Sequence, residues 1–508
     1  MKRRKILIIG AGLGGLTFGA LAARDGHEVV LYDRNHEPGG VVALTREGGF
    51  SFEQGPLILS DLLPSESICS FLQELGICLE TVRDDRGLST RDFDLIRPKE
   101  YAGPNWRKEK LKELFPEEAG GIDAYYRFYD ALMEIRYQSS RRDSPMKRIL
   151  MGLAFLKVRK YQDMTCEEFT DLLFHGNAKL KLVFNGILAD FCADPAEVQC
   201  FTLPFVNTET AFDKRIPLDH KGRERYYGGF AYFKDGCQKL PEALLGSIAA
   251  HDGIFVPDTI VENVLVEGGR ARGIRLADGT EVDGDVVVGC GSARDFFEKM
   301  VGLEHLDEGY RRILRECRPM EAVFMVHLGV DYDPRRYQEQ SLVYYYRGYD
   351  LHGAVDRLRN GIYHEGADGY LIYFPDAHAP GFAPEGYHCV TIYTVCPDTL
   401  RAGDWETMKD GYADQLIALA EEHLPGLSKH IVAKKIMTAL DYRKMTHMSK
   451  SSFGGLVPIW GQKNPPHVTP VRDLYFVGQQ SENGGGVPIV INGAREAYRK
   501  FQSMHRSS

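Results

Sequence analysis

The chain of 508 residues is too long for one ordinary hydrophobic core, so two intertwined domains are the natural expectation. Its 44% hydrophobic and 26% charged residues are an ordinary globular balance, and a formal net charge of −9 argues against nucleic acid as a general partner, because no domain-wide basic surface could neutralise phosphates. The ten cysteines, scattered from Cys69 to Cys396 without a C-x-x-C pair, read as reduced thiols of a cytosolic protein, not as a zinc site or disulfide framework.

The first elements carry the strongest signal. MKRRK is basic, but the apolar run after it is broken by Gly10, which leaves no room for a signal peptide and predicts a cytoplasmic protein. No apolar stretch of about 18–20 residues exists to span a bilayer. Ile6 to Ile9 predict a short buried strand, followed directly by Gly10, Gly12 and Gly15 as G-x-G-x-x-G. Leu16, Ala20 and Leu21 give the next helix an inner face, Gly26 can end it in a left-handed conformation, and Glu28 to Tyr32 predict a second strand ending at Asp33. Gly10 permits the tight turn, Gly12 lets a pyrophosphate approach the backbone, and Gly15 allows close helix–strand packing. The helix N-terminus offers unpaired N–H groups to phosphates, and Asp33 sits where a carboxylate would meet ribose hydroxyls. Gly14 and Arg34, beside these, complete the expected nucleotide set. NAD and FAD both remain open on this unit; Gly39-Gly40, beyond Asp33, favour FAD, because two side-chain-free residues would let a second loop reach the pyrophosphate.

This spacing resembles the N-terminal fingerprint of the FAD-binding amine-oxidase-like flavoproteins. Two positions depart from it: Asp33 stands where most of that family has Glu, and Val41-Val42 stand where a basic residue commonly follows. Gly48 to Pro56 then read as a strand running into a turn, similar to the G-F-x-F-D-x-G-P segment of phytoene-desaturase-like enzymes, with Glu53 in place of Asp.

Residues of about 100–220 are expected to be mostly helical. Within them, PMKRILMGLAFLKVRKY at 145–161 holds Lys147, Arg148, Lys157, Arg159 and Lys160, no acid, and apolar bulk from Ile149, Leu150, Leu153, Leu156 and Val158. Such a helix either lies in a bilayer interface against anionic lipid or is a core helix with snorkelling basic ends. The resemblance implies membrane-surface contact here. Gly228-Gly229 and the segment to Gly253 resemble the family's strand–turn–helix. Residues 254–292 alternate between Gly268-Gly269 and Asp278-Gly279 turns, and Asp285 to Val288 predict a buried strand ending at Gly289. They read as a return to the nucleotide domain, with an independent small β-domain as the alternative. The resemblance implies that Val264 meets the adenine end of the cofactor through its backbone.

Aromatic and β-branched runs at 343–346, 370–374 and 390–393 predict strands, either simply core or lining a lipid cavity. The last signature is LYFVGQQSENGGGVPIVINGAREAYRK at 474–500: a short strand ending at Gly478, the glycine loop 484–486, then Val487-Pro488 opening a helix to about Phe501. It resembles the closing motif of the phytoene desaturase, carotenoid isomerase and retinol saturase group, and the resemblance spans nearly the whole chain. It departs at 479–483, QQSEN, and at Ile489.

The fold expected is α/β, a discontinuous Rossmann-like FAD-binding domain (1–100, 222–300 and 450–508) with an interleaved α+β substrate domain (101–221 and 301–449). The resemblance implies an FAD-dependent oxidoreductase that desaturates, saturates or isomerises C–C bonds of an isoprenoid or carotenoid-like polyene lipid by hydride transfer with flavin N5. Gly478, Gly486, Val487 and Pro488 would border the flavin. Glu482 is the one ionisable residue expected near its edge, as an acid–base group or as a solvated loop residue. The alternatives are an amine or porphyrinogen-type flavin oxidase, and a non-enzymatic prenyl-lipid-binding protein. No metal is expected, and peripheral contact would be with the inner face of the membrane.

Overall fold

Ile6 and Ile8 point to one side of strand Lys5–Ile9, Leu7 and Ile9 to the other, and all four are buried. Such a strand belongs in the middle of a parallel sheet covered on both faces. A computed structural model of the chain, describing residues 2–505 apart from 56, 58, 61, 63–66, 84–85, 99–105, 140–142, 208–230 and 451–452, places it there. The sheet has five parallel strands in the order Leu474–Phe476, Val286–Gly289, Lys5–Ile9, Glu28–Tyr32, Ile254–Val256. Ile6 and Ile8 pack under helices Leu13–Arg24, Lys239–Ala249 and Val487–His505. Leu7 and Ile9 pack toward the three-stranded antiparallel sheet Val261–Glu267, Arg270–Leu276 and Glu281–Asp283. Strands Ile254–Val256 and Val286–Gly289 therefore extend the first sheet, and the three strands between them pack against it, which removes the independent β-domain alternative.

Between these pieces the chain builds a seven-stranded sheet, ordered Ile431–Met437, Ala322–Val330, His388–Cys396, Gly369–Tyr373, Leu342–Tyr346, Arg86–Thr90, Asp94–Leu95. Its last two strands lie on the nucleotide side of the boundary expected at residue 100. Arg86–Thr90 pairs with Leu342–Tyr346 and Asp94–Leu95 pairs with Arg86–Thr90, which corrects that boundary. Val343, Tyr345, Tyr370, Ile372, Val390 and Ile392 face a core closed by helix Trp405–Glu421. The alternate residues of the same strands face the other way.

Helices Trp106–Leu114, Ala119–Ser139, Pro145–Val158, Cys166–Phe174 and Ala178–Asn185 share a core of their own. Helix Pro145–Val158 starts at a Ser144 cap, whose side chain accepts a hydrogen bond from Lys147 N, with Pro145 where no N–H is needed. Only Ala154 and Val158 are buried in it. Met146, Ile149, Leu153 and Leu156 form an outward stripe at spacings of three and four, 55–62% exposed. The core-helix alternative fails on that stripe. Gly228-Gly229 and Pro56 lie outside the described residues, while strand Ala231–Phe233 and helix Lys239–Ala249 follow the former as expected.

Glu53 ties the seven-stranded sheet to the turn before helix Lys239–Ala249. From strand Phe50–Glu53 its carboxylate accepts the Cys237 N–H at 2.7 Å and the Tyr373 hydroxyl. Full burial raises its pKa, against the lowering by these two donors.

Candidate functional site

One cavity of about 1260 Å³ runs from the first glycine turn to the seven-stranded sheet. That exceeds the roughly 300–1,000 Å³ of ordinary small-molecule pockets, so there is room for more than one small ligand.

Its first wall is rich in glycine backbone. Gly10 turns the chain with φ at +103°, and Gly12 opens helix Leu13–Arg24 with no side-chain cap. The first-turn N–H groups of that helix are therefore without intrahelical partners, the arrangement that suits an anion. A Cβ on Gly12 would meet nothing within 4 Å, whereas one on Gly15 would lie 2.2 Å from the Gly10 carbonyl oxygen and 3.1 Å from Ile8. Gly12 thus borders the open cavity, and Gly15 packs the helix on its strand. A Cβ on Gly14 would lie 2.9 Å from Gly478, so the first and last segments touch through glycine backbone. Gly39, with φ at +124°, bridges to Gly12 and donates its N–H to Ala11 O at 2.9 Å; Gly40 also lines the cavity.

Asp33 lines the cavity but is already engaged. Its Oδ2 accepts the Ala11 N–H at 2.6 Å and its Oδ1 the Asn35 N–H at 2.8 Å, so it closes the glycine turn from below. Burial raises its pKa, against the lowering by Asn35, Ala11 and the neighbouring Arg34, which also lines the cavity. Each carboxylate oxygen can accept a second hydrogen bond, so room for a ribose hydroxyl remains.

At the next edge, Val264 does not line the cavity. Its side chain is buried against the parallel sheet and its partner across the ladder is Ile274. Thr259, Ile260, Val261, Glu262 and Asn263 line it instead, at and just before the start of the strand.

The C-terminal loop contributes Gly478, Gln479, Gly485, Gly486, Val487, Pro488 and Ile489. A second glycine pair, Gly454-Gly455, had no place in the sequence reading. A Cβ on Gly455 would lie 2.4 Å from the Gln479 carbonyl oxygen and 2.6 Å from Gly485. Two backbones therefore meet face to face at this end, and the doublet itself was the available signal.

Glu482 is a correction. It lies outside the cavity lining, where Lys500 Nζ donates to both its oxygens at 3.0 and 2.8 Å and His467 N donates at 3.1 Å. Burial alone would raise its pKa, but Lys500 and the His467 N–H hold it below the ordinary carboxylate value. It anchors the loop to helix Val487–His505.

The second wall is side chains. Tyr344, Leu371 and Tyr393 are register neighbours on three adjacent strands, and all three face the cavity. Phe191, Phe205 and Val206 close over them from the helical region. The aromatic strands therefore divide by alternation: Tyr345 and Tyr370 stack in the core, and Tyr344 and Tyr393 line the space. Asp190 and Arg86 stand in the same wall and were absent from the sequence reading.

Comparison with known proteins agrees with this architecture. Residues 8–75 match the model of an NAD(P)-binding Rossmann-like domain. The chain is 24% identical to the chloroplastic prolycopene isomerase of Daucus carota, over 97% of this chain and 79% of that protein. It is 22% identical to a lycopene-forming phytoene desaturase of a Paracoccus species, over 96% of this chain and 95% of that one. Among solved structures, an oxidoreductase from Methanosarcina mazei superposes with a TM-score of 0.63 at 18% identity, covering 97% of this chain and 100% of its own, which shows the fold alone. Over nearly its whole length the chain is similar in sequence to a prolycopene isomerase and a phytoene desaturase, and its α/β fold contains a Rossmann-like domain.

Proposed function

We propose that the chain is an FAD-dependent oxidoreductase acting on C–C double bonds of an isoprenoid polyene lipid. The observation that carries this reading is the single cavity that joins a glycine-lined nucleotide wall to an apolar wall of another sheet. The glycines fit a dinucleotide: Gly12 leaves open space beside an uncapped helix N-terminus, and the Gly455–Gly485 approach leaves backbone where a flat ring would lie. Bound there, FAD would supply the two-electron chemistry, exchanging hydride with a substrate carbon. The protein's own part would be to hold the phosphates on the N–H groups of residues 12–14 and the ribose on Asp33. Tyr344, Leu371, Tyr393, Phe191 and Val206 align a long apolar chain and exclude water.

Helix Pro145–Val158 supports delivery from a membrane surface. Its outward apolar stripe is flanked by Lys147, Lys157, Arg159 and Lys160, a pairing that suits an anionic bilayer. No helix among the described residues is long and apolar enough to cross a membrane, so the contact proposed is peripheral.

The purified protein should be yellow and release equimolar FAD on denaturation. Anaerobic mixing with a linear isoprenoid polyene should change its flavin spectrum. A colourless protein that binds prenyl lipid would replace this reading with an escort role. Oxygen uptake with amines, and none with polyenes, would favour the oxidase alternative.

A further inference from the structure

Asp190 is the anomaly of the apolar wall. It lies at the end of the turn Gly186–Phe191, beside Phe191 and opposite Tyr344, and it lines the cavity. The Tyr344 hydroxyl donates to its Oδ2 at 2.7 Å. Its Oδ1 makes no hydrogen bond with any described residue. Arg86 lies 5.8 Å from the centre of the Tyr344 ring and directs Nη2 to Val206 O at 3.3 Å and Asn207 Oδ1 at 3.2 Å. Burial pushes the Asp190 carboxyl up to about 6, against the lowering by Tyr344 and Arg86.

A bare hydrocarbon packed against this wall would seal Asp190 Oδ1 away from water with no donor, an uncompensated loss. A ligand that brings one donor removes that loss. An amine would bring a second positive charge beside Arg86, and a carboxylate would face Asp190 itself. A neutral hydroxyl meets neither objection.

We propose that Asp190 is a specificity residue that accepts a hydrogen bond from a hydroxyl group on the substrate, so that the ligand is an alcohol-bearing isoprenoid and not a pure hydrocarbon. Tyr344 is its positioning residue, fixing the carboxyl plane through Oδ2 and leaving Oδ1 turned to the ligand. This assignment rests on the polyene-lipid reading above and narrows it.

The test is titration of the flavin-loaded protein with three probes of one skeleton: a linear diterpene alcohol, its methyl ether and the hydrocarbon. Binding is read from the perturbed flavin absorption. The alcohol should bind about ten-fold tighter than either relative, the scale of one buried hydrogen bond. Asp190→Ala should erase that preference, the hydrocarbon binding tighter than in the wild type because no carboxylate is left to be sealed from water. Asp190→Asn, which keeps an acceptor oxygen, should retain part of it. Equal affinity for all three probes in the wild type, or an unchanged preference in Asp190→Ala, overturns the assignment and leaves the polyene reading standing. Failure of all three to bind overturns the polyene reading and this assignment with it. The ether comparison needs no variant and holds even where Asp190→Ala does not fold.

Discussion

On the nucleotide side of the cavity much of the surface is glycine main chain: Gly10, Gly12 and Gly14 from the first turn, Gly39 and Gly40 from the second, Gly478, Gly485 and Gly486 from the last. On the other side it is side chain: Tyr344, Leu371 and Tyr393 from a sheet, with Phe191, Phe205 and Asp190 from the helical region. A wall of backbone recognises a ligand common to many proteins, because N–H groups and close approach depend little on sequence beyond glycine. A wall of side chains is free to change with the substrate. Even within the first wall the glycines differ in what they do, and that difference is the sharpest place to break the comparison.

Gly15→Ala should have the largest effect. Its Cβ would lie 2.2 Å from the Gly10 carbonyl oxygen, a backbone atom that cannot step aside. The cost should exceed the roughly 1–3 kcal/mol of ordinary overpacking. Denaturant melts should show a loss of global stability together with loss of flavin. Gly12→Ala, one turn earlier, should do the opposite. Its φ of −72° suits alanine and its Cβ meets nothing. Stability of the flavin-free protein should change by about 1 kcal/mol or less, the scale of an altered N-cap, while flavin affinity falls. Equal losses of stability in the two variants would erase the distinction between packing and binding glycines.

Asp190 tests the side-chain wall by pH. Its folded pKa of about 6 lies above the ordinary 3.8, so the native state holds the proton more tightly. The stabilisation this gives is full below about pH 4 and is lost as the pH rises through about 6. Asp190→Asn carries no such term. It should therefore be more stable than the wild type above pH 6, by up to about 3 kcal/mol, with the gap closing below about pH 4. Thermal unfolding at the two ends of that range reads it directly. A constant difference across the range would mean that the carboxyl is not desolvated.

The outward stripe of helix Pro145–Val158 tests how substrate reaches that wall. Replacing Leu153 and Leu156 together by Asp should weaken binding to vesicles containing a third anionic lipid by about ten-fold or more, since each removes a buried leucine worth roughly 1.5–3 kcal/mol. The melting temperature should stay near that of the wild type, because both side chains are more than half exposed. Unchanged sedimentation with vesicles would remove the membrane from the proposal.

The difference between the two walls also explains what was legible in the sequence. Strands Lys5–Ile9 and Glu28–Tyr32, the helix between them and the glycine loop before Val487 are local: strand, turn and helix lie within a few residues, and each glycine has a local reason. The apolar wall is assembled from residues 86, 190–206, 344, 371 and 393, which only the tertiary fold brings together. Nothing in the run Ile187–Phe191 marks its aspartate as facing a cavity, because a lone acid between apolar residues reads equally well as a helix-end solvent contact. The alternation in Val343–Tyr346 does divide core from cavity, but which half faces which needs the partner helix Trp405–Glu421. Strand Arg86–Thr90 was misassigned for the same reason, since its partner Leu342–Tyr346 lies some 250 residues away in the chain, and Asp94–Leu95 pairs with it as the next strand.

Glu482 marks the border between the two kinds of wall and gives the smallest effect. By position it follows Gly478 and precedes the glycine loop, where an acid beside a flavin would be expected to act. By geometry it is spoken for: Lys500 and the His467 N–H take both oxygens, and the side chain is outside the cavity lining. Glu482→Gln should therefore leave turnover and its pH profile unchanged. Loss of the partly exposed Lys500 pair should cost about 0.2–1 kcal/mol, at the edge of what a thermal melt resolves. A fall in kcat with an intact flavin spectrum would place the acid–base chemistry back in the loop, and the backbone wall would then no longer be passive.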